Sequence, residues 1–89
     1  MTKYRRTLAH EIGHGVSHNL NPAQFGKAMS SPVGRGTLEA HAENYADQAV
    51  PGTYSGYDNE ARKGRMPASY QQARGPRFGN IDPRLSGAA

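Results

Sequence analysis

No cysteine occurs anywhere in the 89 residues of this chain, and for a protein so small that is the tightest constraint on what it can fold into. A chain of this length buries too little apolar surface for a comfortable core. Below about 70–80 residues a single core seldom supplies more than roughly 3–5 kcal/mol without a covalent or metal staple. The missing thiols remove disulfides and thiolate metal sites together. What remains is a metal held by histidines and carboxylates, or a partner. Four histidines are present, and the hydrophobic share is only 35%, with two Phe and no Trp. The apolar residues placed to build a core are Leu8, Ile12, Val16, Leu20, Phe25, Leu38, Tyr45 and Val50, a thin set.

Leu8, Ile12 and Val16 recur every four residues and Leu20 closes the row, which predicts a helix over 4–19 with that stripe as its buried face. Gly13 and Gly15 each lower helix propensity by roughly 1 kcal/mol relative to Ala, so this helix needs support from elsewhere or a close neighbour. Asn21 as N-cap, Pro22 at the first helical position and Gln24 at the third predict a short helix to Met29. "SSPVGRG", Ser30 to Gly36, reads as a loop. A further helix is expected from Thr37 as N-cap to Val50, where Pro51-Gly52 stops it. Its apolar face is Leu38, Ala42, Tyr45, Ala46 and Ala49, and its acidic residues Glu39, Glu43 and Asp47 fall in one line at intervals of four. From Pro51 onward Gly and Pro interrupt every few residues and apolar periodicity disappears. Residues 51–89 therefore read as a basic, irregular or disordered tail, with at most a short helix near 58–63. The expected architecture is mainly α, with residues 1–50 forming two principal antiparallel helices around a metal site.

The chemistry concentrates in "TLAHEIGHGVSH", residues Thr7 to His18. Residues four apart share a helix face, so His10 and His14 can direct ring nitrogens at one ion near 2.0–2.1 Å. Glu11 follows the first ligand and is rotated towards the open side, where it can take a proton from a water at the metal. Two ligands do not complete a catalytic zinc site. A third His at the spacing of the longer H-E-x-x-H-x-x-G-x-x-H pattern is missing, because Ser17 and Leu20 occupy those positions. His18 continues the series, but three histidines over two turns span about 12 Å, too far for one ion. A carboxylate from the second helix is the other source. Glu43 is favoured over Glu39, since Asp47 lies one turn after Glu43 and can accept the far ring N–H of a ligand histidine. His41 points about 160° away from the Glu43 line and is expected to be exposed.

"HEIGH" and "ENYAD", residues 10–14 and 43–47, together resemble the two motifs of the gluzincin metallopeptidases, including the neprilysin-like and CAAX-peptidase families. The resemblance covers residues 7–50. It implies a zincin-like helical core, zinc as cofactor with His10, His14 and Glu43 as ligands, Glu11 as general base and Asp47 behind the ligands. It also implies hydrolysis of peptide bonds in a protein or peptide substrate. Transition-state stabilisation in such sites commonly needs a further donor, for which Tyr54, Tyr57 and Tyr70 are candidates. Family members carry an antiparallel sheet ahead of the first motif, whereas nine residues precede His10 here. A partner subunit or a longer parent chain is therefore expected to supply the substrate-binding sheet.

The net charge of +4 is unevenly spread. Arg62, Lys63, Arg65, Arg74, Arg77 and Arg84 lie among Tyr57, Tyr70 and Phe78, a composition compatible with phosphate contacts and base stacking. No nucleic-acid motif accompanies it, so a solubilising or assembly tail is the simpler expectation. No apolar run reaches membrane-spanning length and no secretory leader precedes the first helix, which leaves a cytoplasmic location as the default. The alternative to an enzyme is a non-catalytic zinc-stabilised interaction module, or a degenerate peptidase, that binds a partner or nucleic acid through the basic tail.

Overall fold

The protein is described here by a computed structural model covering residues 2–79. Its helices are α1 (Thr2–Leu20), α2 (Pro22–Met29), α3 (Pro32–Ala49), α4 (Gly56–Arg62) and α5 (Ala68–Arg74), followed by a 3-10 turn at Gly75–Arg77. No strand occurs among the described residues, and no helix among them is long and apolar enough to cross a membrane. The fold is a small, mainly α domain.

Ser31 decides where the second long helix begins. Its side-chain oxygen accepts from the Gly34 N–H at 3.0 Å and Pro32 takes the first helical position, a cap and a φ constraint that favour helix at once. The segment expected to loop as far as Gly36 is therefore helical from Pro32. Its glycines serve packing instead: a Cβ on Gly34 would stand 2.1 Å from the Ala28 carbonyl oxygen, and one on Gly36 would stand 2.5 Å from Ser69 Oγ. The shorter α2 begins as its sequence indicates, with Asn21 Oδ1 accepting from the Gln24 N–H at 3.1 Å and Pro22 at the first position.

Helices α1 and α3 run antiparallel, since Arg6 pairs with Asp47 and Glu43, His10 with Glu43 and Glu39, and His14 with Glu39. Small residues let the two backbones approach. A Cβ on Gly13 would lie 3.0 Å from Ala42 Cα, and Ala9, Ala46 and Val50 form the apolar cluster beneath.

The expected buried stripe is not buried. Leu8 is 61% exposed, Ile12 46%, Val16 42% and Leu20 82%, and Tyr45 is also at the surface, whereas Leu38 and Val50 are buried as expected and Phe25 is half-buried. Arg6, His10 and His14 lie about 160° around the helix from Leu8, Ile12 and Val16 at 100° per residue, so one row faces in only if the other faces out. The inward row meets Glu39, Glu43 and Asp47, which would otherwise be buried without partners at a cost of several kcal/mol per ion.

Residues 51–79 carry α4, close to the short helix expected near 58–63, and also α5 and a 3-10 turn where an irregular segment was expected, with turns and loops between them. Ser55 caps α4 by accepting from the Asp58 N–H at 3.0 Å, and α5 packs along α3. Two side chains tie this part down. Arg74 donates to both Asp58 oxygens at 2.9 and 2.7 Å and to Asp47 at 2.6 Å, and Tyr70 donates to Asp58 at 2.5 Å. Arg74, Tyr70 and Asp58 are all buried. Gly and Pro broke the apolar period there, but burial is achieved through ion pairs that hydropathy does not register. Residues 80–89, Arg84 among them, lie outside the described residues.

Candidate metal centre

The antiparallel register brings one carboxylate of α3 against two imidazoles of α1. Glu39 Oε1 lies 2.8 Å from His10 Nε2 and 2.6 Å from His14 Nε2, and the two rings meet edge to face with centroids 4.6 Å apart. One ligand atom from each of His10, His14 and Glu39 falls within 4.8 Å of the others.

Glu43, the residue expected to complete the ligand set, stands behind it. Its Oε2 is 2.6 Å from His10 Nδ1, while Oε1 accepts from Arg6 Nη2 at 2.9 Å and from the Ser55 hydroxyl. Asp47, expected behind the ligands, sits further along the same row and bridges Arg6 at 2.8 Å and Arg74 at 2.6 Å. Each carboxylate is thus one helical turn from the position assigned to it in sequence. The spacing itself permits this, because Glu39 and Glu43 repeat the four-residue interval of Glu43 and Asp47.

Electrostatics follow the geometry. Burial disfavours a charged His10, but hydrogen bonds to Glu39 and Glu43 and their charges outweigh it and raise its pKa to about 9. Burial also disfavours the Glu43 anion, and hydrogen bonds from His10, Ser55 and Arg6 overcome that and hold it at about 2. With Nδ1–H donated to the Glu43 carboxylate, a neutral His10 would aim the lone pair of Nε2 at Glu39 Oε1, another acceptor. Either a second proton or a cation resolves the clash. His14 Nδ1 is buried without a hydrogen-bond partner. Two imidazole nitrogens and one carboxylate oxygen, with a second carboxylate on the far nitrogen of one ring, are a donor set that could hold a metal ion.

Glu11 is exposed, and its charge is felt at Tyr57. The Tyr57 ring stacks on His10 at 4.8 Å with an interplanar angle of 5°. Burial, followed by the charges of Glu39, Glu43 and Glu11, raises the Tyr57 pKa, so the phenol keeps its proton. Of the three tyrosine candidates, Tyr57 is the one beside the ligands. Tyr70 is committed to Asp58, and Tyr54 is exposed. His18 and His41 are exposed as expected, with His18 edge-on to Phe25 at 5.3 Å.

Sequence reasoning passed over Arg6, Ser55 and the placement of Tyr57. Arg6 carried a signal: it stands four residues before His10, and Arg6, His10 and His14 form a row that mirrors Glu39, Glu43 and Asp47. Ser55 and Tyr57 carried none, because only the docking of α4 brings them to the histidines. No family model, curated protein or solved structure matches this chain.

Proposed function

We propose that the protein is a zinc-dependent peptide hydrolase whose ion is held by His10, His14 and Glu39. The observation that supports this reading is that Glu39 Oε1 lies 2.8 Å from His10 Nε2 and 2.6 Å from His14 Nε2, with one ligand atom of each residue within 4.8 Å of the others and Glu43 on the far nitrogen of His10. A zinc ion bound there supplies Lewis acidity, which acidifies a water and polarises a peptide carbonyl. Glu43 fixes the His10 tautomer that presents Nε2, and Arg6 and Ser55 keep Glu43 anionic and in place. Glu11 takes the proton of the attacking water and returns it to the leaving amine. Tyr57, a neutral phenol stacked on His10, offers a hydrogen-bond donor beside the reacting carbonyl. The scheme is the gluzincin one that "HEIGH" and "ENYAD" resemble, with the carboxylate pair read one turn earlier, at Glu39 and Glu43.

A second reading, a zinc-stabilised interaction module without catalysis, is favoured by the lack of any strand among the described residues. Peptides are commonly held by pairing with a sheet edge.

Elemental analysis of the purified chain and of three variants tests the site. One zinc per chain is expected, absent in His14→Ala and Glu39→Ala and retained with weaker affinity in Glu43→Ala. Peptide cleavage by the native chain that disappears in Glu11→Gln while zinc stays supports the hydrolase. Zinc without cleavage in the native chain supports the module, and no zinc overturns both.

A further inference from the structure

Past the end of α3 the chain turns at Gly52, whose φ of 81° lies in the left-handed region that glycine enters freely. Side chains of residues 53–57 then alternate. Thr53 and Ser55 are buried and Tyr57 is half-buried, whereas Tyr54 and Gly56 are exposed. Alternation of this kind belongs to extended chain, and Ser55 has extended backbone angles. Each inward residue meets one residue of the site or of its support. Thr53 Oγ1 accepts from Arg6 Nη1 at 3.0 Å and donates to the Val50 carbonyl at 2.7 Å. The Ser55 hydroxyl donates to Glu43, and the Tyr57 ring lies flat on His10 with centroids 4.8 Å apart.

The same segment is tied to the second half of the molecule. Ser55 Oγ accepts from the Asp58 N–H at 3.0 Å, and the Asp58 carboxylate accepts from Tyr70 at 2.5 Å and from Arg74 at 2.9 and 2.7 Å. Hydrogen bonds therefore run from His10 through Glu43, Ser55 and Asp58 into α5. If residues 53–57 lifted away, Glu43 would lose the Ser55 donor, Arg6 its Thr53 acceptor and His10 its stacked ring. His14 and Glu39 would keep each other, because their contact lies between α1 and α3 alone. Lifting the segment thus weakens the donor set without removing it.

We infer that the seating of residues 53–74 against α1 and α3 regulates the metal site: the seated segment raises metal affinity, and a bound metal holds the segment in its seat. The inference rests on the reading that His10, His14 and Glu39 hold zinc. Reciprocity is required by linkage, since whatever factor the seated segment adds to zinc affinity, zinc adds to the seating equilibrium. Occupancy of the site is thereby transmitted to Tyr70 and Arg74, neither of which touches a ligand histidine. Thr53 is a positioning residue in this scheme, acting on Glu43 through Arg6.

Two measurements on the full 89-residue chain test the coupling: zinc affinity by competition with a chromophoric chelator, and amide hydrogen exchange with zinc or with excess chelator. Thr53→Val keeps the side-chain shape and removes the hydroxyl, and it should lower zinc affinity by about 2–30-fold, the span found for residues that act on a site through others. Thr53→Ser should restore the affinity. Tyr57→Ala should lower it, whereas Tyr57→Phe, which keeps the stacked ring, should not. In chelator, amides of α4 and α5 should exchange faster than those of α1 and α3, as expected of a segment that opens on its own. Zinc should slow them by about tenfold or more beyond any change in α1 and α3, and should have no such effect in His14→Ala. Affinity unchanged in both Thr53→Val and Tyr57→Ala, or exchange that zinc slows equally from α1 through α5, overturns the inference and leaves the zinc reading standing. A native chain that takes up no zinc overturns the zinc reading itself, and the inference with it.

Discussion

Glu43 shows how a single side chain is assigned its role by its neighbours. Arg6 and Ser55 occupy one oxygen and His10 the other, which leaves Glu39 as the acidic group on the Nε2 side. Glu43→Gln removes the charge that orients His10 and should weaken zinc binding by about 10–100-fold, the usual effect of losing such a partner. Competition with a chromophoric chelator measures it. Ser55→Ala should act in the same direction and less strongly. Tyr70 offers a test at high pH. Burial, then the hydrogen bond to Asp58, raises its pKa above the ordinary 10.0. A tyrosine with a raised folded pKa contributes stability that is intact below pH 10.0 and is lost as pH rises beyond it, where the unfolded chain ionises first. Ultraviolet titration should therefore show a tyrosine that ionises only with unfolding, and in Tyr70→Phe that delayed step should vanish.

Among the elements, α3 depends on its first turn and on its small residues. Ser31→Ala removes the cap on Gly34 N–H and should cost about 0.5–2 kcal/mol in urea unfolding. Gly13→Leu forces a side chain between α1 and Ala42 and Tyr45, and overpacking of this kind costs about 1–3 kcal/mol, more if the helices separate. The same substitution at Gly15 meets open space. Urea midpoints for the two should therefore move apart, with Gly13→Leu below the native chain and Gly15→Leu not below it. Equal losses at both positions would contradict the described α1–α3 contact.

At the scale of the whole molecule, a network of buried and half-buried ion pairs links the helices. Arg6, Glu43, Asp47, Arg74 and Asp58 form one continuous chain of salt bridges across α1, α3, α4 and α5. Removing one partner strands the others in the interior, at about 3–5 kcal/mol for a buried pair. Against a total stability of about 5–15 kcal/mol for a domain, Arg74→Met should leave the chain largely unfolded or molten by circular dichroism, with near-ultraviolet signal lost first. A bound metal adds its affinity to the folded state. Chelation should lower the melting temperature of the native chain and leave that of His14→Ala unchanged. Without a metal, His10 stays charged between Glu39 and Glu43 at neutral pH, because against the opposing effect of burial they raise its pKa to about 9.

By itself the sequence determined the local features: the helix through "HEIGH", the capped start of α2 and the stop at Pro51-Gly52. These rest on neighbours within one or two turns, which is the range over which caps and periodicity act. The tertiary structure decided which rows face each other. Periodicity says that Leu8, Ile12 and Val16 share a side, not that this side has a partner. The inward side was settled by the match of Arg6, His10 and His14 to Glu39, Glu43 and Asp47. It decided the register too, because a four-residue repeat on both helices is satisfied equally well one turn earlier, and only the anchoring of Glu43 by Arg6 and Ser55 distinguishes the two. Ser55 and Tyr57 reached the histidines through the docking of a segment whose burial depends on the Arg74 and Asp58 pair, an energy that hydropathy and turn signals do not carry.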